Sequence, residues 1–201
     1  MTAHLPIDIR LARFEKAEEF AQTMAIYREA IPANERKPEA ELRRLAGDPS
    51  CQVVVAGAGG EILGFAVFAL LQQVPVALLE YLAVRSDRRG QGIGTALFSF
   101  LAGGRGPGVS LLVEVEAETG DPVEDPLRVA RKGFYRRLGC RQIEGLDYLT
   151  PLGDEPPALH LMILGEAPPD LRAWLEALYV EVYGQRADDP RIEAMLGGAV
   201  P

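Results

Sequence analysis

Residues Leu78 to Gly103 constrain this chain more than any other stretch. An apolar run ending Tyr81-Leu82-Ala83-Val84 meets Arg88-Arg89-Gly90-Gln91-Gly92-Ile93-Gly94-Thr95, followed by Ala96-Leu97-Phe98-Ser99-Phe100-Leu101. The pattern predicts a strand, a loop and a helix. Glu80 is the one charge in the strand, and beyond the loop Ile93, Ala96, Leu97, Phe100 and Leu101 recur at helical spacing until Gly103-Gly104 stops the helix. Alternating glycines permit a tight turn and bare several consecutive backbone N–H groups. The first amides of a helix lack intrahelical partners and lie at its positive dipole end, so they favour an anion such as pyrophosphate. Arg88 and Arg89 add charge at the mouth, and a turn without a ligand needs neither three glycines nor flanking arginines.

Spacing selects among phosphate ligands. The loop lacks the Gly-Lys-Ser/Thr end of a nucleoside triphosphate loop, and Gly90-x-Gly92-x-Gly94 does not fit the dinucleotide fingerprint. Arg89-x-x-Gly92-x-Gly94 after a strand ending Leu-Ala-Val resembles motif A of the GNAT superfamily, the acyl-CoA-dependent N-acyltransferases. Phe134-Tyr135-Arg136-Arg137-Leu138-Gly139 independently resembles its motif B. The resemblance spans Ile7 to Leu164, with the specific motifs in Leu79–Leu101 and Leu127–Gly139. It implies the α/β (α+β) GNAT fold, a mixed central sheet of about seven strands splayed at its middle and flanked by about four helices, with a C-terminal helix added.

The resemblance also implies a chemistry: acetyl transfer from the cosubstrate acetyl-CoA to a primary amine of a small molecule or peptide. The backbone of Leu82, Ala83 and Val84 would pair with the pantetheine arm, and the amides of Arg89, Gly90, Gln91, Gly92, Ile93, Gly94 and Thr95 would hold the pyrophosphate. Glu80, two residues before Leu82, is the candidate general base, and Tyr135 the proton donor to the departing sulfur. An amide near Leu82 would polarise the thioester carbonyl. Glu114 and Glu116 are rivals for the base, or acceptor contacts. The alternative is a non-catalytic acyl-CoA sensor or scaffold on the same fold. One position departs from the pattern: many relatives carry asparagine about seven residues before the tyrosine, where this chain has Arg128.

The rest of the chain gives coarser expectations. Ile7–Ala12 reads as a strand, Glu15–Ala30 as a helix with Phe20, Met24 and Tyr27 on one face, and Pro38 opens a second short helix. Gln52–Ala56 and Ile62–Leu71 form a hairpin across a glycine turn, and Val109–Ala117 is a strand with Glu114, Glu116 and Glu118 on one face. Those carboxylates are either a solvated face or an acidic wall that attracts an amine. Pro122 and Pro126 bracket a loop, after which Leu127, Ala130, Phe134 and Leu138 mark the apolar stripe of a helix capped by Gly139. Inside it, Gly133 suggests close packing or close ligand approach. Arg141–Tyr148 and Leu159–Leu164 suggest a final hairpin. A division follows, 1–168 as the acetyltransferase domain and 169–201 as an amphipathic helix carrying Leu171, Trp174, Leu175, Leu178 and Val182 with a polar tail. That helix packs on its own domain or makes a homodimer.

With 201 residues and 48% apolar content, the chain can bury a core. Its net charge of -8 argues against nucleic acid as a partner and suits a cationic small substrate. Cys51 and Cys140 lie outside metal-ligand spacing, and with His4 and His160 the only histidines no metal site is expected. No membrane span or leader is indicated, so the expected location is cytoplasmic.

Overall fold

The first expected strand forms as β1 (Asp8–Leu11) in a computed structural model that describes residues 7–151 and 158–197. The glycine turn closes the hairpin of β2 (Cys51–Ala58) and β3 (Glu61–Leu70), and β4 (Val76–Val84) leads into the glycine loop. With β5 (Ser110–Glu116), β6 (Arg141–Gln142) and β7 (Leu159–Leu164), these make a seven-stranded mixed sheet in the order β1-β2-β3-β4-β5-β7-β6, the α/β GNAT arrangement. The helices are α1 (Ala17–Ala30), α2 (Glu39–Leu45), α3 (Ile93–Gly104), α4 (Asp125–Arg137), α5 (Leu171–Glu181) and α6 (Pro190–Gly197). None among the described residues is long and apolar enough to cross a membrane.

The chain divides into two compact units, one of Met1–Leu70 with Leu79–Gly106 and the other of Leu71–Leu78 with Pro107–Pro201. In the first, β2 and β3 pair antiparallel with Val53 opposite Val67 and Val55 opposite Phe65. These residues share a core with Met24 and Tyr27 of α1 and Leu42 and Leu45 of α2. Gly64, on the other face of β3, lies against Ile93 and Leu97 of α3. Helices on both faces explain why β3 is buried almost throughout rather than on alternate residues. Glu19 ties the start of α1 to β1: its carboxylate accepts from both Arg10 Nη atoms at 2.9 and 2.7 Å and from the Arg13 amide at 2.6 Å.

In the second unit β7 pairs antiparallel with β5, Glu114 facing Leu161, and β6 pairs with the other edge of β7. Leu112, Leu161 and Ile163 from this sheet share one core with Trp174, Leu175, Leu178 and Tyr179 of α5 and Ile192 and Met195 of α6. The apolar face of α5 is therefore covered within its own unit. Its last turn clamps the connector before β4, since Glu181 accepts from the amides of Gln72 and Gln73 at 2.6 and 3.1 Å.

Four local expectations are corrected. The polar tail contains α6, started by Asp189-Pro190, where Asp189 accepts from the Arg191 amide at 3.0 Å. The first arm of the final hairpin shrinks to Arg141–Gln142, and residues 152–157 of its loop lie outside the described residues. Pro126 stands in the first turn of α4, where its missing N–H costs nothing. Finally, α4 buries Lys132 and Tyr135, while Leu127 is 61% exposed. The stripe turns because the Lys132 ammonium finds Glu118 at 2.5 Å, which lets its aliphatic stem be covered.

Candidate active site

The site is built from the end of β4 onward. Arg85 fixes the exit of the strand by bonding both oxygens of Asp87, at 2.6 and 3.0 Å, and Glu61 at 3.3 Å. One 3-10 turn, Ser86–Arg88, leads into the glycines. Gly90 and Gly92 adopt φ of 75° and 81°, and a Cβ on either would meet nothing within 4 Å among the described residues, so the loop requires their backbone conformation rather than their small size. Gly94 lies inside α3 and outside the left-handed region.

Gly92 is the N-cap of α3, and the first helical bond runs from the Ala96 amide to the Gly92 carbonyl at 2.9 Å. The amides of Ile93, Gly94 and Thr95 therefore precede the ladder at the positive end of a twelve-residue helix. Ile93, 2% exposed, anchors that end in the core. At the mouth, the Arg88 Nε is buried with no hydrogen-bond partner among the described residues, and lies 3.7 Å from Asp87 Oδ2. Arg89 is partly engaged: its amide donates to Ser86 O and its Nε to Val84 O, both at 3.4 Å. A run of amides beside two guanidinium groups is a donor set that fits a diphosphate.

Glu80 on β4 is not free-standing. Its Oε2 lies 2.5 Å from Lys37 Nζ, with the Glu80 side chain 8% and the Lys37 side chain 25% exposed. The backbone that carries Lys37 is strapped down by two hydroxyls: Tyr81 donates to Glu35 O at 2.8 Å and Tyr27 to Lys37 O at 3.3 Å. The Tyr27 and Tyr81 rings meet edge to face 5.3 Å apart. Burial pushes the Tyr81 phenol well above its ordinary range, so it stays a donor. Nothing in the local spacing around Lys37 announced this pair, because it joins positions far apart in the chain.

In the second unit Tyr135 is 7% exposed, and burial pushes its phenol well above the ordinary value. It keeps its proton throughout the neutral range, as a proton donor must. Phe134 packs edge to face against it at 5.1 Å. Gly133 is not crowded, since among the described residues an added Cβ would meet only Arg137 Nη1, at 3.4 Å.

The two carboxylates of β5 and Glu118 just beyond it are all partnered. Glu114 accepts from the hydroxyls of Tyr148 and Tyr183, Glu116 pairs with Arg131, and Glu118 pairs with Lys132 at 2.5 Å and lies 3.4 Å from His160 Nε2. Arg128, at the departure from motif B, bonds Thr119 Oγ1 and Asp125 Oδ1, each at 2.9 Å, and so ties α4 to the loop before it. A separate cavity of about 380 Å³ lies among Asp8, Arg10, Lys16, Glu19 and the β2–β3 turn, away from the glycine loop. Its best-buried charge, Glu19, is already matched by Arg10.

The family model described as "Acetyltransferase (GNAT) domain" matches residues 49–141, from just before β2 to the start of β6. Over that span the chain is similar to a GNAT acetyltransferase domain. The matched span contains the glycine loop, Glu80 and Tyr135. Solved structures agree on the fold. A GNAT-family chain from Bacteroides thetaiotaomicron is 20% identical with TM-score 0.73, covering 89% of this chain and 99% of its own. The ribosomal-protein-S18-alanine N-acetyltransferase of Escherichia coli is 20% identical with TM-score 0.58, over 82% and 98%. An aminoglycoside 6'-N-acetyltransferase complexed with coenzyme A is 22% identical with TM-score 0.62, over 81% and 99%. No curated protein sequence matches the chain.

Proposed function

We propose that this protein is a GNAT N-acetyltransferase that moves an acetyl group from acetyl-CoA to a primary amine of a small molecule or peptide by direct attack. The observation that carries the reading is the loop: Gly90 and Gly92 in the left-handed region, followed by the amides of Ile93, Gly94 and Thr95 ahead of the α3 ladder. Those amides would hold the diphosphate of acetyl-CoA, and the backbone of Leu82, Ala83 and Val84 its pantetheine arm. The coenzyme A bound to the aminoglycoside acetyltransferase of the same fold supports this choice. Bound acetyl-CoA would supply an acyl thioester, an activated carbonyl with a good leaving group.

The remaining work falls to side chains and main chain. Glu80 takes the proton from the acceptor ammonium, directly or through water, so that the nitrogen lone pair is free. An amide near Leu82 polarises the carbonyl, and Tyr135 gives its proton to the departing sulfur. Holding both reactants in place supplies much of the acceleration. Glu116, whose pair with Arg131 is partly solvated, is our candidate contact for a cationic acceptor, and Glu114 serves as framework beneath two phenols. We place the protein in the cytoplasm, and a homodimer is compatible with this chemistry.

The Lys37–Glu80 pair favours a second reading, a non-catalytic acyl-CoA sensor whose carboxylate is permanently engaged. A thiol-release assay with acetyl-CoA across polyamines, aminoglycosides, amino acids and peptides separates the two. Release dependent on one amine class supports the transferase. Calorimetric binding of coenzyme A without release under any acceptor supports the sensor.

A further inference from the structure

A base can deprotonate an amine only within hydrogen-bond reach of it, ~2.6–3.2 Å between heavy atoms or through one water. If Glu80 is the base, the acceptor nitrogen must therefore come to the carboxylate that Lys37 Nζ already touches at 2.5 Å. The lysine is neither buried away nor loosely tethered. Its side chain is 25% exposed, its only other carboxylate neighbour among the described residues is Glu41 Oε1 at 3.9 Å, and its backbone segment is held by the Tyr27 hydroxyl at Lys37 O and the Tyr81 hydroxyl at Glu35 O. Arg36 secures the same strap from the other side, donating to Ile31 O and Arg28 O, each at 2.6 Å. The chain thus presents a primary amine of its own to its candidate base.

We propose that Lys37 is a self-acetylation site, its Nζ standing where the acceptor nitrogen stands in turnover. This rests on the acetyl-transfer reading above. In the step, Nζ passes one proton to Glu80, the nitrogen lone pair bonds to the thioester carbonyl carbon, and the carbon–sulfur bond breaks with its electron pair on sulfur. The nitrogen sheds its second proton as the amide forms, and the thiolate takes one proton up. The sum is a lysine ammonium and an acyl thioester giving acetyl-lysine, a thiol and one released proton. The product is neutral, so modification also removes the cation that holds Glu80.

The test uses the full chain and acetyl-CoA with no added acceptor, followed by intact mass and peptide mapping. The expected result is one acetyl group per chain on Lys37, appearing with a first-order rate independent of protein concentration. It should be lost in Lys37→Arg and slowed at least tenfold in Glu80→Gln, each checked for native circular dichroism. A readout without acetyl-CoA accompanies it: the melting-temperature losses of Lys37→Met and Glu80→Gln should be non-additive in the double variant, as for a pair in contact. Additive losses overturn the proposal, because the pair is then not formed in solution. Thiol release to an added amine with Lys37 unmodified overturns it and leaves the transferase reading intact. Failure of calorimetry to detect coenzyme A binding overturns both.

Discussion

A methyl group on Gly64 would stand 2.8 Å from the carbonyl oxygen of Ala83 and 3.2 Å from Leu97 Cδ1. Backbone cannot yield as a flexible side chain does, so glycine is required here for close approach rather than for an unusual φ. The contact sets how tightly α3 and the end of β4 sit on β3, and with them the glycine loop that joins those two elements. Gly64→Ala should lower the unfolding free energy by ~1–3 kcal/mol, the usual cost of overpacking. Urea titration of both proteins, with unchanged slope and a lower midpoint, checks it.

Gly92 makes the opposite demand, with open space around it and a φ of 81°. Asparagine tolerates the left-handed region, alanine less, and a β-branched residue least. Coenzyme A affinity should therefore fall in the order Gly92→Asn, Gly92→Ala, Gly92→Val. A strain of ~1–2 kcal/mol for alanine corresponds to roughly a tenfold weaker Kd. Isothermal titration would show the series, and equal affinities would mean that the loop conformation does not hold the diphosphate.

Tyr135→Phe keeps the ring that packs on Phe134 and removes the acid. Its kcat should fall ~10²–10⁴-fold, the usual worth of a positioned proton donor, while KM for acetyl-CoA stays within a few-fold. An unchanged kcat would return the tyrosine to a packing role.

Where a pattern is local, the sequence announced it: the β2–β3 hairpin by its glycine turn, α3 by the spacing of Ile93, Leu97 and Leu101, the loop by its glycines. The α6 helix had a local signal as well, since Asp189-Pro190 is a cap followed by proline at the first helical position, but its two core residues, Ile192 and Met195, are too few to show a period. Other features depend on what an element meets. Helical spacing marked Leu127 and Ala130 as a stripe, but whether that stripe is buried depends on Glu118 waiting for Lys132. The Glu80 pair was out of reach in the same way: strand parity gives the side a carboxylate takes, and only the returning strap brings Lys37 to it.

Glu114 illustrates how buried polar groups are priced by their partners. The Tyr148 phenol, pushed well above its ordinary value by burial and then by the Glu114 charge, donates to the same carboxylate oxygen as Tyr183. Glu114→Gln preserves an acceptor, whereas Glu114→Ala removes the one that both phenols share, at a cost of ~1–3 kcal/mol for a buried donor whose acceptor is lost. Thermal melts should rank wild type, Gln and Ala in that order. A glutamine variant as unstable as alanine would show that charge, rather than acceptance, holds the cluster.

Glu19 should make the first unit acid-sensitive. Burial pushes its carboxyl up, but the Arg10 guanidinium and the Arg13 amide outweigh that and hold it below the ordinary 4.5. A carboxyl whose folded-state value lies below its unfolded one stabilises the fold above the unfolded value, and that contribution is lost as pH falls through the folded value. The contribution is therefore complete at neutral pH and declines from about pH 4.5 downward. Glu19→Gln should melt lower than wild type at pH 7, and the gap should narrow as the pH is taken below 4.5. Differential scanning calorimetry at stepped pH measures the gap directly. A gap that stays constant across that window would mean that Glu19 stabilises α1 through packing and uncharged hydrogen bonds rather than through its ionised form.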